Sequence, residues 1–134
     1  MNSFVWQARV YWEDTDAGGV VYYANYLRFL ERARTEWLRA KGWSQSLIQQ
    51  ESGLVFAVTS VTAQYRRAAR LDDLLFIHCE LVIDGGATML FRQRIHRNAE
   101  DGELVLEAEV RVACVAADTF RPRRLPDALR QEFA

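Results

Sequence analysis

The sequence is poor in the residues that build disulfide frameworks and metal sites. Its 134 residues contain only two cysteines and two histidines. Cys79 and Cys114 each lie inside an apolar run, so we expect both to be reduced core residues. No Cys/His spacing matches a metal site, and no nucleophile elbow is present. The sequence therefore argues against metal-dependent and serine-triad chemistry.

Long apolar runs and a strong net charge are also missing. No run approaches the roughly 18–20 residues of a membrane-spanning helix, and the opening MNSFVWQARVYWED lacks the regions of a signal peptide. With 17 basic and 18 acidic residues the net charge is −1, which does not favour nucleic acid as a partner. We therefore expect one cytoplasmic globular domain that spans residues 1–134.

One segment has the pattern of a long amphipathic helix. The spacing predicts a helix from about Val21 to Lys41, with Gly42 as its left-handed stop. One stripe of this helix is apolar and should face the core, while the opposite side is charged. The residues expected on the buried stripe are Tyr26, Phe29, Leu30, Ala33, Trp37 and Ala40.

The rest of the apolar pattern alternates with the period of β-strands. It predicts strands over residues 4–12, 54–65, 74–84, 88–97 and 104–116. The polar segment 43–53 is interpreted as a connector with room for a helical turn, and residues 118–134 as a tail that is basic at first and then polar. One long helix against an antiparallel sheet of about five strands predicts an α+β two-layer domain. Because such long strands leave pairable edges, we also expect a homodimer.

The stretch between the first strand and the helix concentrates the reactive groups. Residues 9–26 read RVYWEDTDAGGVVYYANY, and the loop 13–19 holds three carboxylates and a Gly-Gly pair. A carboxylate can attack a carbonyl or activate water, and unpaired N–H groups at a helix start can stabilise an oxyanion. The alternative is that Asp14 and Asp16 are turn residues whose side chains bond to nearby N–H groups.

These residues resemble the start of a hotdog-fold acyl-CoA thioesterase of the 4-hydroxybenzoyl-CoA thioesterase superfamily, most closely the YbgC-type group associated with the Tol-Pal genes. The similarity continues through YLRFLERARTEWLR, RLDD and RPRRLP, over nearly the whole chain. It implies one long central helix wrapped by the sheet, no metal or redox cofactor, and a site shared between subunits of a homodimer or homotetramer. The positions that match the family pattern are Arg9, Val10, Thr15, Asp16, Gly19, Val20, Val21 and Tyr23.

The resemblance also implies catalytic roles. Asp16 matches the family's catalytic carboxylate, which acts either as nucleophile or as general base. The backbone N–H of Tyr23 would polarise the thioester carbonyl. Many YbgC-type proteins carry His where this chain has Tyr23, and close relatives often carry Tyr where it has Trp12. A mechanism that needs an imidazole at position 23 is therefore absent, whereas a role for the backbone N–H of Tyr23 is unaffected.

The remainder of the loop is expected to support substrate binding. Gly18 and Gly19 let the main chain pass close to the substrate, and Val20 lies beside them in the predicted substrate site. Glu13 and Asp14 are expected to be structural.

Two arginine clusters have two interpretations. Arg66, Arg67 and Arg70 either belong to a solvated surface or bind the phosphates of coenzyme A. A second cluster consists of Arg121, Arg123 and Arg124. Either cluster could instead bind the phosphopantetheine and acidic helix of an acyl carrier protein.

The histidines and the rival function complete the sequence-based hypotheses. His78 and His96 fall on charged strand faces and are expected to face solvent. The alternative to an acyl-CoA thioesterase is a non-catalytic acyl-carrier-protein or lipid-pathway interaction module on the same fold. An intact Asp16 in its Gly-Gly loop favours the enzyme.

Overall fold

Five strands form one antiparallel sheet in a computed structural model, which describes residues 3–133. Their order in the sheet is β1-β3-β4-β5-β2, so β1 and β2 are the two edges. This architecture confirms the predicted α+β class and the expected strand number. The strands are β1 (Ser3–Arg9), β2 (Leu54–Tyr65), β3 (Leu74–Ile83), β4 (Thr88–Arg97) and β5 (Glu103–Ala116).

The long helix α1 (Asn25–Ala40) packs one face on this sheet. The prediction was wrong for Ala40, which is exposed because it ends the helix where the chain turns away. Gly42 has a φ of +88° and is the left-handed residue expected after the helix. The other five predicted stripe residues are buried: Tyr26, Phe29, Leu30, Ala33 and Trp37.

A buried glutamine ties α1 to the middle of the sheet. Nε2 of Gln93, on β4, donates to the carbonyl of Leu30 at 3.0 Å, and Oε1 accepts from Nη1 of Arg34 at 3.0 Å. Burial lowers the pKa of the Arg34 guanidinium from its ordinary value. The hydrogen bonds satisfy these polar groups and hold α1 in register on the sheet.

The first strand is shorter than predicted. It ends at Arg9, and Trp12–Asp14 form a 3-10 turn instead of continuing it to residue 12. The reason is that Oδ2 of Asp14 accepts a hydrogen bond from the main-chain N–H of Tyr11 at 2.8 Å. A side chain that captures this donor competes with strand pairing and turns the chain towards α1.

The helix also begins later than predicted, at Asn25 and not at Val21. The N–H of Val21 donates to the carbonyl of Ala69 at 2.8 Å, and Val20 forms an isolated β-bridge with Arg70. Residues 20 and 21 therefore pair with the connection between β2 and β3. This pairing fixes the loop that precedes α1 against a second segment of the chain.

Two short helices occupy the connector and the tail. The connector contains α2 (Gln45–Ser52), which confirms helical structure there. The tail, for which the sequence predicted no element, contains α3 (Asp127–Glu132). Leu129 and Phe133 are buried, since their apolar side chains cover the sheet beside Trp37. No helix within residues 3–133 is long and apolar enough to cross a membrane.

Candidate active site

The loop before α1 is a tight turn built on Asp16 and Gly19. Thr15 and Val21 form an antiparallel bridge, the N–H of Asp16 donates to the carbonyl of Val20 at 2.9 Å, and the N–H of Gly19 donates to the carbonyl of Asp16 at 3.0 Å. Gly19 has a φ of +79°, a conformation that glycine adopts without strain. Aspartate at the first position of such a turn and glycine at the fourth are favoured by local chemistry.

The carboxylate of Asp16 is exposed at the tip of this turn. Its Oδ1 accepts from the N–H of Gly18 at 2.8 Å, which is the Asx-type bond expected of an aspartate in a turn. A Cβ at Gly18 would lie 3.2 Å from the same oxygen, so the absence of a side chain leaves room for the carboxylate in this position. Within residues 3–133, Oδ2 has no donor. One carboxylate oxygen is thus fixed and the other is accessible.

The carboxylate lies in a shallow pocket of about 250 Å³. The residues around it come from the turn and from the first part of α1. Tyr23 is not part of this lining, whereas its neighbours Tyr22 and Ala24 are. The lining residues are Glu13, Thr15, Asp16, Tyr22, Ala24, Asn25 and Arg28.

A second aspartate connects the turn to α1. Asp14 is only 7 % exposed, and its Oδ1 accepts from Nδ2 of the buried Asn25 at 2.9 Å. The carbonyl of Asp14 accepts from the N–H of Tyr22 at 2.9 Å. Asp14 therefore points into the protein while Asp16 points out of it, which agrees with the structural role expected for Asp14.

Two main-chain N–H groups precede α1 without partners. Tyr23 lies in the turn before the helix and Ala24 is its N-cap residue. The carbonyl of Tyr22 accepts from the N–H of Asn25 at 2.8 Å, and the carbonyl of Tyr23 accepts from the hydroxyl of Tyr65 at 3.0 Å. Among the residues that the structure describes, the N–H groups of Tyr23 and Ala24 have no acceptor. They are two consecutive free donors at the N-terminal, partially positive end of α1.

The first arginine cluster contains two residues with ion pairs and one without. Arg66 pairs with Glu107 at 3.0 Å, and Arg67 pairs with Glu103 at 3.6 Å. The guanidinium of Arg70 has no ion pair within residues 3–133. Its main-chain N–H donates to Oδ2 of Asp73 at 2.9 Å, and its main chain bridges Val20 in the loop. The structure therefore places the main chain of Arg70 beside the loop, whereas the guanidinium groups of Arg66 and Arg67 bind carboxylates of β5.

The second arginine cluster lies at the opposite end of the β2–β5 pair. The carbonyl of Arg121 accepts from the N–H of Ala116 at 2.9 Å, at the end of β5 that pairs with Leu54. The candidate site adjoins the other end of β2, where Tyr65 lies. A role in the same site is therefore not supported for this cluster.

The two histidines form a structural pair and not part of the loop. Their ring centroids are 5.0 Å apart, and ring nitrogens of His78 and His96 lie 3.0 and 2.8 Å from the carbonyls of Glu100 and Gly102. Both side chains are half-buried rather than fully in solvent, because they brace the turn between β4 and β5. Between Ser3 and Phe133, no group of three His, Cys, Asp or Glu side chains could hold a metal ion.

Sequence reasoning missed three residues of this region. Asn25 and Arg28 lie in the pocket with Asp16, and Tyr65 reaches the loop from β2. Asn25 and Arg28 had a detectable signal, because a helix that starts at Asn25 places both on its first turns. Tyr65 had none, since its approach depends on how β2 packs.

This chain is similar to known proteins over nearly its whole length. A family model described as the thioesterase-like superfamily matches residues 10–133. The acyl-CoA thioesterase YbgC of Haemophilus influenzae is 45% identical over 132 residues, covering 98% of this chain and 95% of that protein. The acyl-CoA thioester hydrolase YbgC of Escherichia coli is 48% identical over 130 residues, covering 97% and 95%.

Solved structures share the fold. The 1,4-dihydroxy-2-naphthoyl-CoA thioesterase from Synechocystis superposes with a TM-score of 0.91 at 21% identity, covering 98% of this chain and 95% of that one. The 4-hydroxybenzoyl-CoA thioesterase from Pseudomonas sp. strain CBS-3 has a TM-score of 0.90 at 24% identity, covering 98% and 99%. The predicted hotdog fold is confirmed.

Proposed function

We propose that this chain, which belongs to the thioesterase-like superfamily and within it to the YbgC-type acyl-CoA thioesterases, hydrolyses acyl-CoA thioesters at the loop that follows β1. One observation carries the assignment of the site. The exposed carboxylate of Asp16 is fixed by the N–H of Gly18 and shares a pocket with the residues that begin α1. We assign residues 1–134 to a single hotdog domain.

Asp16 is the reacting carboxylate in this proposal. As a general base, its free oxygen takes a proton from water, and the resulting hydroxide attacks the thioester carbonyl. As a nucleophile, the same oxygen attacks the carbonyl directly, and water then hydrolyses the transient anhydride. In both routes the C–S bond breaks and coenzyme A leaves as a thiolate that takes up a proton. Neither route needs a metal or a redox cofactor.

The main chain beside Asp16 supplies electrostatic stabilisation. The carbonyl oxygen of the thioester becomes negative in the transition state, and the free N–H of Tyr23 is the donor that we assign to it. Removal of such a donor typically costs about 3–4 kcal/mol of transition-state stabilisation. Gly18, Gly19 and Val20 form the adjoining main chain, over which the substrate would lie.

Arg70 is the best candidate for contact with the phosphates of coenzyme A. Its main chain is bridged to Val20, and no described carboxylate competes for its guanidinium. Arg66 and Arg67 are weaker candidates because they already bind Glu107 and Glu103. The same positive charge would suit the phosphopantetheine of an acyl carrier protein, which we retain as a second thioester donor.

A homodimer is the assembly that we propose, with a tetramer built from such dimers as the larger form. β2 is a 12-residue edge strand, and within residues 3–133 its one neighbour in the sheet is β5. Val58 and Val61 on β2 are 50% and 42% exposed, which is unfavourable for an unpaired edge. Pairing β2 with its copy across a two-fold axis would cover this edge.

We place the reaction in the cytoplasm. Cys79 and Cys114 are both buried free thiols, as the sequence predicted. Reduced thiols of this kind are typical of the reducing compartment in which coenzyme A thioesters are used.

The alternative function is a non-catalytic module that binds acyl carrier protein or another lipid-pathway protein. The fixed carboxylate with one accessible oxygen favours catalysis, because binding alone has no need of a base beside free N–H donors.

Release of coenzyme A, followed with a thiol-detecting reagent, separates the two functions. Asp16→Asn should lower kcat by at least about a hundredfold, since the amide can neither attack nor take the proton. Glu13→Gln is the matched control, because it removes an exposed charge of the same sign from the same pocket and should lose far less. Near wild-type turnover of Asp16→Asn would reject the assignment.

A further inference from the structure

The hydroxyl of Tyr65 makes a contact with the candidate site that the mechanism above does not use. Tyr65 is the last residue of β2, and its hydroxyl donates to the carbonyl of Tyr23 at 3.0 Å. Its ring also contacts those of Tyr23 and Tyr26, at centroid distances of 6.5 and 5.7 Å. Burial raises the pKa of the Tyr65 phenol from its ordinary value, with the phenol of Tyr23 as a second cause. The group is therefore a neutral donor at physiological pH.

The hydrogen bond fixes the orientation of one peptide unit. The carbonyl of Tyr23 belongs to the same planar peptide as the N–H of Ala24, and the two groups point in opposite directions. Because the carbonyl faces Tyr65, the N–H of Ala24 is directed away from Tyr65. Ala24 lines the pocket that contains Asp16, and its N–H has no acceptor within residues 3–133.

The preceding peptide unit is fixed in a comparable way. The carbonyl of Tyr22 accepts from the N–H of Asn25 at 2.8 Å, which orients the N–H of Tyr23. Asn25 in turn is held by Asp14. Two consecutive N–H groups are thus oriented through their carbonyls, one by the first turn of α1 and the other by a side chain of β2.

We propose that Tyr65 is a positioning residue for thioester hydrolysis, and that its hydroxyl directs the N–H of Ala24 towards the thioester oxygen as a second donor beside Tyr23. This inference rests on the proposed function, since it requires the reaction to occur at Asp16. Donors that are oriented before the reaction stabilise the oxyanion without reorganisation, so a loosened peptide should slow the chemical step more than substrate binding.

The test compares two hydroxyl deletions in the same tyrosine cluster. Tyr65→Phe removes the donor to Tyr23, whereas Tyr26→Phe removes the oxygen that accepts from the N–H of Ala69 at 3.0 Å. The second bond is buried and contacts neither peptide unit. We would measure kcat and KM for acyl-CoA and the thermal unfolding midpoint of both variants.

The expected results are opposite for the two variants. Tyr65→Phe should lower kcat about tenfold or more, change KM by less than about threefold, and leave the unfolding midpoint nearly unchanged. Tyr26→Phe should lower the unfolding midpoint, because a buried N–H loses its acceptor, and should keep kcat within about twofold below that midpoint.

Three results would overturn the inference. The first is an unchanged kcat in Tyr65→Phe, and the second is a rise in KM of Tyr65→Phe without a change in kcat. The third is an equal loss of kcat in Tyr26→Phe, which would assign the effect to packing of the tyrosine cluster. Asp16→Asn, assayed in parallel, separates this failure from failure of the proposed function. An active Asp16→Asn would remove both, whereas an inactive Asp16→Asn with an unaffected Tyr65→Phe would remove only the role of Tyr65.

Discussion

Nδ2 of Asn25 donates a hydrogen bond of 2.9 Å to Oδ1 of Asp14, and both side chains are buried. This bond joins the first residue of α1 to the loop that carries Asp16. It is therefore the side-chain link between the carboxylate and the N–H donors of the candidate site. A change at either end should disturb both stability and catalysis.

Asn25→Asp tests this link through pH. Two buried carboxylates that face each other cannot both be charged without a large cost, so one must hold a proton. The variant should therefore be most stable at low pH and lose stability as the pH rises, by about 1–3 kcal/mol of unfolding free energy at neutral pH. Thermal unfolding from about pH 5 to about pH 8 measures this slope.

The exchange variant, Asp14→Asn with Asn25→Asp, is the control. The introduced asparagine can accept from the N–H of Tyr11 and donate to the introduced aspartate, so both hydrogen bonds of position 14 are kept. It should recover stability at neutral pH and part of kcat. If the exchange is as unstable as Asn25→Asp, the pair does not act through this hydrogen bond.

The arginine cluster should respond unequally to alanine substitution. Arg70→Ala should raise KM for acyl-CoA about three- to tenfold, and should do little with a short acyl-pantetheine that lacks the nucleotide phosphates. Arg66→Ala should change KM little for either substrate. It breaks an exposed ion pair with Glu107, and such pairs contribute little to stability. Equal effects of Arg70→Ala on both substrates would show that Arg70 does not contact those phosphates.

The exposed edge of β2 should be the dimer contact. Val61→Lys places a charge on this edge, so light scattering should shift from a dimer towards the 15.5 kDa monomer, with loss of activity. Val82→Lys is a matched control, because Val82 is 43% exposed, against 42% for Val61, but lies on the internal strand β3. A dimer that persists in Val61→Lys, or dissociates equally in both variants, would place the contact elsewhere.

The two thiols should be silent in an assay that detects released coenzyme A. Burial raises the pKa of the Cys79 thiol to about 11 and also raises that of Cys114. The reactive thiolates are therefore scarce at neutral pH, and the thiolate of Cys79 becomes abundant only as the pH approaches its pKa. The folded protein should react slowly with the thiol reagent, whereas the denatured chain should expose two thiols. Rapid labelling of the folded protein would contradict the burial of these side chains.

Local rules account for much of the fold that the sequence predicted. The buried stripe of α1 and the alternation of β3 and β5 were predictable because side chains repeat with fixed periods along a helix and a strand. An element with one face in the core and one in solvent shows that period in its sequence. The predicted C-terminal end of β1 and the predicted start of α1 were wrong, because hydrogen bonds from a side chain and from a distant segment decide them. Asp14 captures the N–H of Tyr11, and Ala69 captures that of Val21.

The sequence by itself determined the turn that presents the carboxylate. Asp16 and Gly19 stand at the two ends of a four-residue turn, and their side-chain chemistry and backbone freedom require no distant partner. The family pattern places the same two residues in the candidate site. This is why Asp16 could be predicted as the catalytic carboxylate without a structure.

Only the tertiary structure decided what surrounds that carboxylate. Tyr65 is 42 residues from Tyr23 in the chain, and it reaches the loop because β2 lies at the sheet edge beside the start of α1. The same strand pairing sets Arg66 against Glu107 and leaves Arg70 beside Val20. Distances between remote residues depend on strand order and register, and periodicity along a single chain does not encode them.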